Sequence, residues 1–210
     1  MLDIAENLAR VRERMEAAAR LSGRDPESVR LVAVSKTVDA ERVRQAIEAG
    51  AKILGENYVQ EAQKKMDVLG HEIAWHFIGH LQTNKAKVAA GLFDFIHSVD
   101  SLNLARELGR RAKLQEKVLP VLLEVNLAGE VTKFGAQEKE IFLLAEKLSG
   151  MEGIEVKGLM TMPPFFEDPE ASRPYFVELR KLGERLAREK IPRISMEELS
   201  MGMSNDFEVA

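Results

Sequence analysis

The chain has 210 residues, with 30 Lys and Arg against 34 Asp and Glu and a formal net charge of −4. That length suits one α/β domain with a sizeable core, and the lack of a basic surplus argues against a nucleic-acid partner held through phosphates. Cysteine is absent, which excludes disulfides and thiolate metal sites; no basic n-region precedes an apolar stretch, and no apolar run approaches the roughly 20 residues that span a bilayer, so a soluble cytoplasmic protein without membrane contact is expected.

Ile4, Leu8, Val11 and Met15 form one stripe of an amphipathic helix that stops near Gly23. Asp25-Pro26 then breaks the chain before Leu31-Val32-Ala33-Val34-Ser35-Lys36-Thr37. This apolar, β-branched run reads as a fully buried strand of a parallel sheet that ends abruptly on a lysine. Asp39 as N-cap, Val43, Ala46 and Ile47 on one face and Gly50 as the stop predict the next helix. Lys52 to Asn57 reads as a very short strand, and Tyr58, Ala62, Met66 and Leu69 as a helical stripe closed by Gly70. Ile73 to Gly79 is the third strand, Asn84 to Gly91 a short helix, and Phe93 to Val99 the fourth strand. Asp100 or Ser101 caps a helix carrying Leu104, Leu108 and Ala112.

Val118 to Val125 is the fifth and most apolar strand, followed by a polar, glycine-containing loop and a helix with Ile141, Leu144, Ala145 and Leu148. Ile154 to Met160 is the sixth strand; Phe176, Leu179, Gly183 and Leu186 mark the next helix. Ile194 to Ser200 is the seventh strand, and Ser204 or Asn205 caps a helix running to the end of the chain. Such βα alternation means a parallel sheet, either doubly wound or a (β/α)8 barrel. Neither the G-x-G-x-x-G turn nor a P-loop is present, and polar or glycine-containing ends recur on nearly every strand. We therefore expect a TIM barrel with an extra N-terminal helix, residues 1–210 forming a single domain, although a closed barrel needs an eighth strand.

Four strand ends can carry chemistry. Lys36 stands where α/β folds place their sites; partly desolvated there, its amine loses proton affinity and attacks a carbonyl, whereas a solvated lysine would only end the strand. Gly55-Glu56-Asn57 lets a ligand approach the backbone beside an amide, or merely caps a helix. His76, in His76-Phe77-Ile78-Gly79-His80, stands beside a ligand or is a satisfied core histidine. With His80 it lacks the further ligands a metal needs. Ser200-Met201-Gly202-Met203-Ser204 before a helix start offers N–H groups and hydroxyls to an anion. An amine on the first strand and an anion cradle on the last fit a ligand with both carbonyl and phosphate, such as pyridoxal 5′-phosphate (PLP) or a phosphorylated sugar. Thr132-Lys133-Phe134-Gly135 adds a second lysine in the loop after the fifth strand.

At these stretches the sequence resembles the pyridoxal-phosphate homeostasis protein family. The motifs are Ala33-Val34-Ser35-Lys36, Gly55-Glu56-Asn57-Tyr58-Val59-Gln60-Glu61, and Trp75-His76-Phe77-Ile78-Gly79 with Leu81-Gln82-x-Asn84-Lys85. Gly158-Leu159-Met160-Thr161-Met162 and Leu199-Ser200-Met201-Gly202-Met203-Ser204 complete them. The resemblance implies a single-domain barrel like the N-terminal domain of alanine racemase. It implies PLP as cofactor, with Lys36 forming the internal aldimine, Asn57 and His76 lining the cofactor, and Ser200, Met201, Gly202 and Ser204 binding phosphate. The implied role is to carry or buffer PLP and deliver it to apo-enzymes, as a monomer and without robust catalysis. Family members continue through an eighth strand bearing Arg-x-Gly-Thr and a closing helix; this chain ends at Ala210.

A PLP-dependent racemase or decarboxylase is the alternative, but it needs a second acid/base, and Tyr58 and Tyr175 each sit at a helix start. A Schiff-base aldolase would need its lysine on a middle strand. A pure interaction module would lose nothing with Lys36→Ala.

Overall fold

The computed structural model describes residues 3–130 and 134–210. The chain divides into two compact units, Met1–His76 and Phe77–Ala210. The first contains α1 (Ile4–Leu21), a 3-10 turn at Pro26–Ser28, β1 (Ala33–Val34), α2 (Ala40–Glu48), β2 (Ile53–Glu56), α3 (Val59–Leu69) and most of β3 (Ala74–Phe77). Asp39 caps α2 as expected, its carboxylate accepting from the Arg42 N–H at 2.9 Å. Gly50 and Gly70 follow their helices at φ 93° and 79°, a backbone region open to glycine.

The lysine-bearing strand is shorter and wetter than its sequence suggests. β1 pairs in parallel with β2 through Ala33↔Leu54 and Val34↔Gly55, and Ser35 N–H extends the ladder to Gly55 O at 2.9 Å. Val34 is 49% exposed, so the apolar run is not a fully buried strand. The reason is local: Thr37 turns at φ 62° and Val38 N–H closes back on Ser35 O, so extended pairing ends just before Lys36. Tyr58 likewise leaves the predicted stripe; it flanks α3 at 59% exposure, while Val59, Ala62, Lys65 and Met66 form the buried face.

The second unit begins with a 3-10 turn at Thr83–Lys85, which replaces the first part of the helix expected from Asn84. It continues through α4 (Ala86–Leu92), β4 (Phe95–Val99), α5 (Leu102–Lys113), β5 (Leu119–Glu124), α6 (Glu138–Leu148), β6 (Ile154–Met160), α7 (Arg173–Arg188) and β7 (Ile194–Ser200). β4 to β7 are parallel neighbours in chain order. Ser101 rather than Asp100 caps α5. Space beside Gly183 of α7 is filled by Leu159 and Leu199. Residues opposed to these, such as Leu123, therefore face the helices as well. Alternation then turns Glu124, Met160 and Ser200, a row in register, toward the opposite face. Phe95, Leu122 and Met160 form a small buried cluster on that face.

The helix expected from Ser204 or Asn205 is not formed; the segment is a series of turns. Asp206 accepts from the Met203 N–H at 2.6 Å; the Asp206 and Phe207 N–H groups return to Met203 O, and Ala210 N–H to Asp206 O. Isolated turns of this kind do not offset the entropy of helix nucleation.

Candidate functional site

In the first unit, parallel strands in chain order place Lys36, Asn57 and His76 at the carboxyl ends of β1, β2 and β3. Lys36 is exposed, so its amine is open to a ligand rather than desolvated by the protein. Asn57 is half-buried, and its Oδ1 is buried without a hydrogen-bond partner among the described residues. Such an acceptor is costly unless a ligand completes it. Tyr58, not Asn57, occupies the cap position of α3, which leaves the Asn57 amide outside the helix start. His76 is buried.

Beneath Lys36 lies a network that sequence reasoning missed. Glu56, fully buried, accepts at Oε1 from the Ser35 hydroxyl at 2.6 Å and from Lys65 Nζ at 2.7 Å. The same Lys65 ammonium, only 5% exposed, donates to Glu61 Oε1 at 2.8 Å and to the Ser35 carbonyl. Glu61 Oε1 also accepts from the Thr37 N–H at 2.5 Å. The Lys65 hydrogen bond holds the Glu61 carboxyl below the usual range, burial working against it. An open groove of about 410 Å³, lined by Thr37, Val38, Asp39, Ala40, Glu61, Lys64 and Lys65, runs alongside. The available signal was Glu61 and Lys65 at i, i+4 on a helix that follows a buried strand end, a pattern that ordinarily marks a surface pair.

In the second unit, Ser200 ends β7, and its hydroxyl lies 2.9 Å from Nδ1 of the buried His97 on β4. Met201 and Gly202 are half-buried, Ser204 is exposed, and Gly202 turns the chain at φ 88°. Met203 N–H is already committed to Asp206, so an anion would be met by the other N–H groups of this turn and by hydroxyls rather than by a helix end. Thr161, after β6, donates to Val125 O at 2.9 Å. His80 stacks on Phe134 with centroids 3.5 Å apart, and lies 3.8 Å from Asp100. Lys133 lies outside the described residues.

Glu124 shares the sheet face of Ser200. It is buried, its Oε2 has no partner among the described residues, and burial, aided by the charge of Asp100, pushes its carboxyl up to about 7. Below about pH 4.5 the group is protonated both folded and unfolded. As pH rises to about 7 the unfolded chain gives up its proton first, so folding stability falls across that window and is level above it. Relative to Glu124→Gln, the unliganded protein will lose on the order of 3 kcal/mol between pH 4.5 and 7.5. Urea unfolding across that range measures the difference; a constant difference would mean that Glu124 is not protonated in the folded state.

The family model described as alanine racemase, N-terminal domain, matches residues 4–209. This assigns an α/β fold of the (β/α)8-barrel class. A pyridoxal phosphate homeostasis protein of Aquifex aeolicus is 44% identical over 210 residues, covering all of this chain and 91% of that protein. The chain belongs to the pyridoxal phosphate homeostasis protein family. Among solved structures, a protein of unknown function from Bifidobacterium adolescentis is 37% identical at TM-score 0.91, with 99% of this chain and 88% of that one covered. PipY of Synechococcus elongatus, with PLP bound, is 35% identical at TM-score 0.82, with 94% and 92% covered.

Proposed function

We propose that this chain is a single PLP-binding barrel domain that carries or buffers the cofactor through Lys36, as a cytoplasmic monomer, and releases it to apo-enzymes. The observation that carries this reading is an accessible lysine at the carboxyl end of β1 beside a buried, unpartnered Asn57 Oδ1 at the end of β2. PLP-bound PipY and the homeostasis relatives identify a ligand whose groups suit these residues. Bound PLP supplies an aldehyde that condenses with an amine and loses water. Asn57 offers a donor and an acceptor to the polar edge of the ring, and His76 stands on the next strand. Ser200, Met201, Gly202 and Ser204 receive the phosphate through hydroxyls and turn N–H groups, with His97 orienting the Ser200 hydroxyl. Ser200 donates to an anion when His97 Nδ1 carries the proton, and to His97 in the other tautomer.

Carriage rather than turnover is supported by the homeostasis names of the relatives, and the two tyrosines of the chain agree with it. Racemisation needs a second proton-handling group opposite the lysine. Tyr58 is 59% exposed and Tyr175 stacks on Phe166, so neither is set as that group. Borohydride reduction of the protein mixed with PLP, followed by peptide mass mapping, is expected to tag Lys36 at close to one per chain. The same treatment of Lys36→Ala leaves the corresponding peptide untagged and removes the visible absorbance band. Equal tagging and an unchanged band in Lys36→Ala would overturn the reading.

A further inference from the structure

We propose that Glu61 and Lys65 are positioning residues for Lys36, acting as a clasp on the two residues that flank it. This deepens the proposed function and rests on that reading. The residue before Lys36 is tied twice, by its carbonyl to Lys65 and by its hydroxyl to Glu56 at 2.6 Å. The residue after it is tied once, by the Thr37 N–H to Glu61 at 2.5 Å. One ammonium joins the two carboxylates, since Lys65 Nζ also donates to Glu56 and Glu61 at 2.7 and 2.8 Å. Lys36 makes none of them, and so projects from a fixed frame as an exposed side chain.

Thr37 shows why a clasp is needed. Its φ of 62° lies in the left-handed region, where a β-branched residue is strained by about 1–3 kcal/mol. Such a conformation persists only where surrounding bonds over-determine it, and here they are the Val38 N–H closure on Ser35 O and the Thr37 N–H bond to Glu61. Without the Glu61 bond only the turn closure is left, and Thr37 would relax toward negative φ and swing the Lys36 Cα away from its place at the end of β1. Glu61 is the accessible member, with a side chain 27% exposed, while Glu56 and Lys65 are sealed beneath. The clasp is thus closed from the side of the groove lined by Thr37 and Glu61.

The test uses the full chain, PLP titration by visible absorbance, borohydride mapping and thermal melting. Glu61→Ala removes the acceptor for Thr37 N–H while leaving the Lys65–Glu56 pair intact. It is expected to weaken PLP binding about tenfold, the equivalent of about 1.4 kcal/mol, and to slow Lys36 tagging. Adding Thr37→Gly gives a residue that adopts positive φ without strain. The Glu61→Ala/Thr37→Gly protein should regain affinity to within about threefold of wild type, about 0.7 kcal/mol. Its melting temperature should not recover, because glycine adds freedom to the unfolded chain. A merely structural role for Glu61 would show the reverse coupling, with affinity following the melting temperature.

Wild-type affinity in Glu61→Ala, or no recovery on adding Thr37→Gly, overturns the clasp. Should Glu61→Ala fail to fold, Thr37→Pro probes the same requirement, since proline fixes φ near −65° and removes the N–H. The same tenfold loss is then expected, and wild-type affinity overturns the proposal. If wild-type protein is not tagged at Lys36, the carrier reading falls instead, and the two failures are distinguished.

Discussion

Replacing Lys65 with methionine is expected to destabilise the protein by about 3–5 kcal/mol, the usual result of removing one partner of a buried ion pair. Methionine fills much of the lysine stem's space, so the loss is electrostatic. Glu56 has no exposed surface, and among the described residues its carboxylate without Lys65 keeps only the Ser35 hydroxyl, while its Oε2 has no partner already. Glu61, 27% exposed, also loses its Lys65 bond but keeps the Thr37 N–H and contact with solvent. The companion Glu56→Gln/Lys65→Met removes the stranded charge while the new amide oxygen still accepts from Ser35, so it should recover more than half of the loss. Urea unfolding followed by circular dichroism gives both values. A single variant within about 0.5 kcal/mol of wild type, the size of an ordinary surface change, would show that the buried pair adds little to stability.

Gly158→Ala is the second large effect. A Cβ at this position would lie 1.8 Å from Glu198 O and 2.7 Å from Glu198 C, both backbone atoms of the neighbouring strand. Neither strand can give way as a flexible side chain would, and the pairing is irregular here, with register shifts on both sides of β6. β6 and β7 must therefore part, at a cost of about 3 kcal/mol or more. Ser200 lies two residues beyond Glu198 on β7, so the phosphate contacts proposed for it should weaken together with stability. Gly150→Ala serves as the control: no atom lies within 4 Å of its added Cβ, and its unfolding midpoint should barely move. Equal midpoints for the two variants would show that β7 shifts freely.

Much of the architecture is legible in the residues because strands and helices differ in period. Ile154–Met160 and Ile194–Ser200 coincide with β6 and β7, and the Ile141, Leu144, Ala145 and Leu148 stripe is the buried face of α6. Misreadings arise where tertiary pairing decides. Leu31 to Thr37 has strand composition throughout, but ladder bonds reach only as far as Ser35, before the turn at Thr37. Ser204 has the chemistry of a helix cap, yet Asp206 captures the Met203 N–H and the chain makes turns. Lys36, Asn57, His76 and Ser200 were marked by chain position and residue type. Glu56 and Lys65 were not, because a charged residue on a strand end or helix is ordinarily solvated, and only the fold reveals that both are sealed. His97 and Glu124 were hidden inside apolar strands for the same reason.

Trp75 is the sole tryptophan of the chain, wholly buried on β3, with its indole N–H given to Gly70 O at 3.2 Å. It immediately precedes His76 and belongs to the unit that carries Lys36, Asn57 and Glu61. Tryptophan emission from this molecule is therefore a local gauge: it senses the first unit, whereas the peptide dichroism sums over both. Unfolding curves from the two signals superimpose only when both units melt as one cooperative body. The same indole is a built-in donor for a chromophore held by the first unit, so cofactor loading has an optical readout that needs no added label.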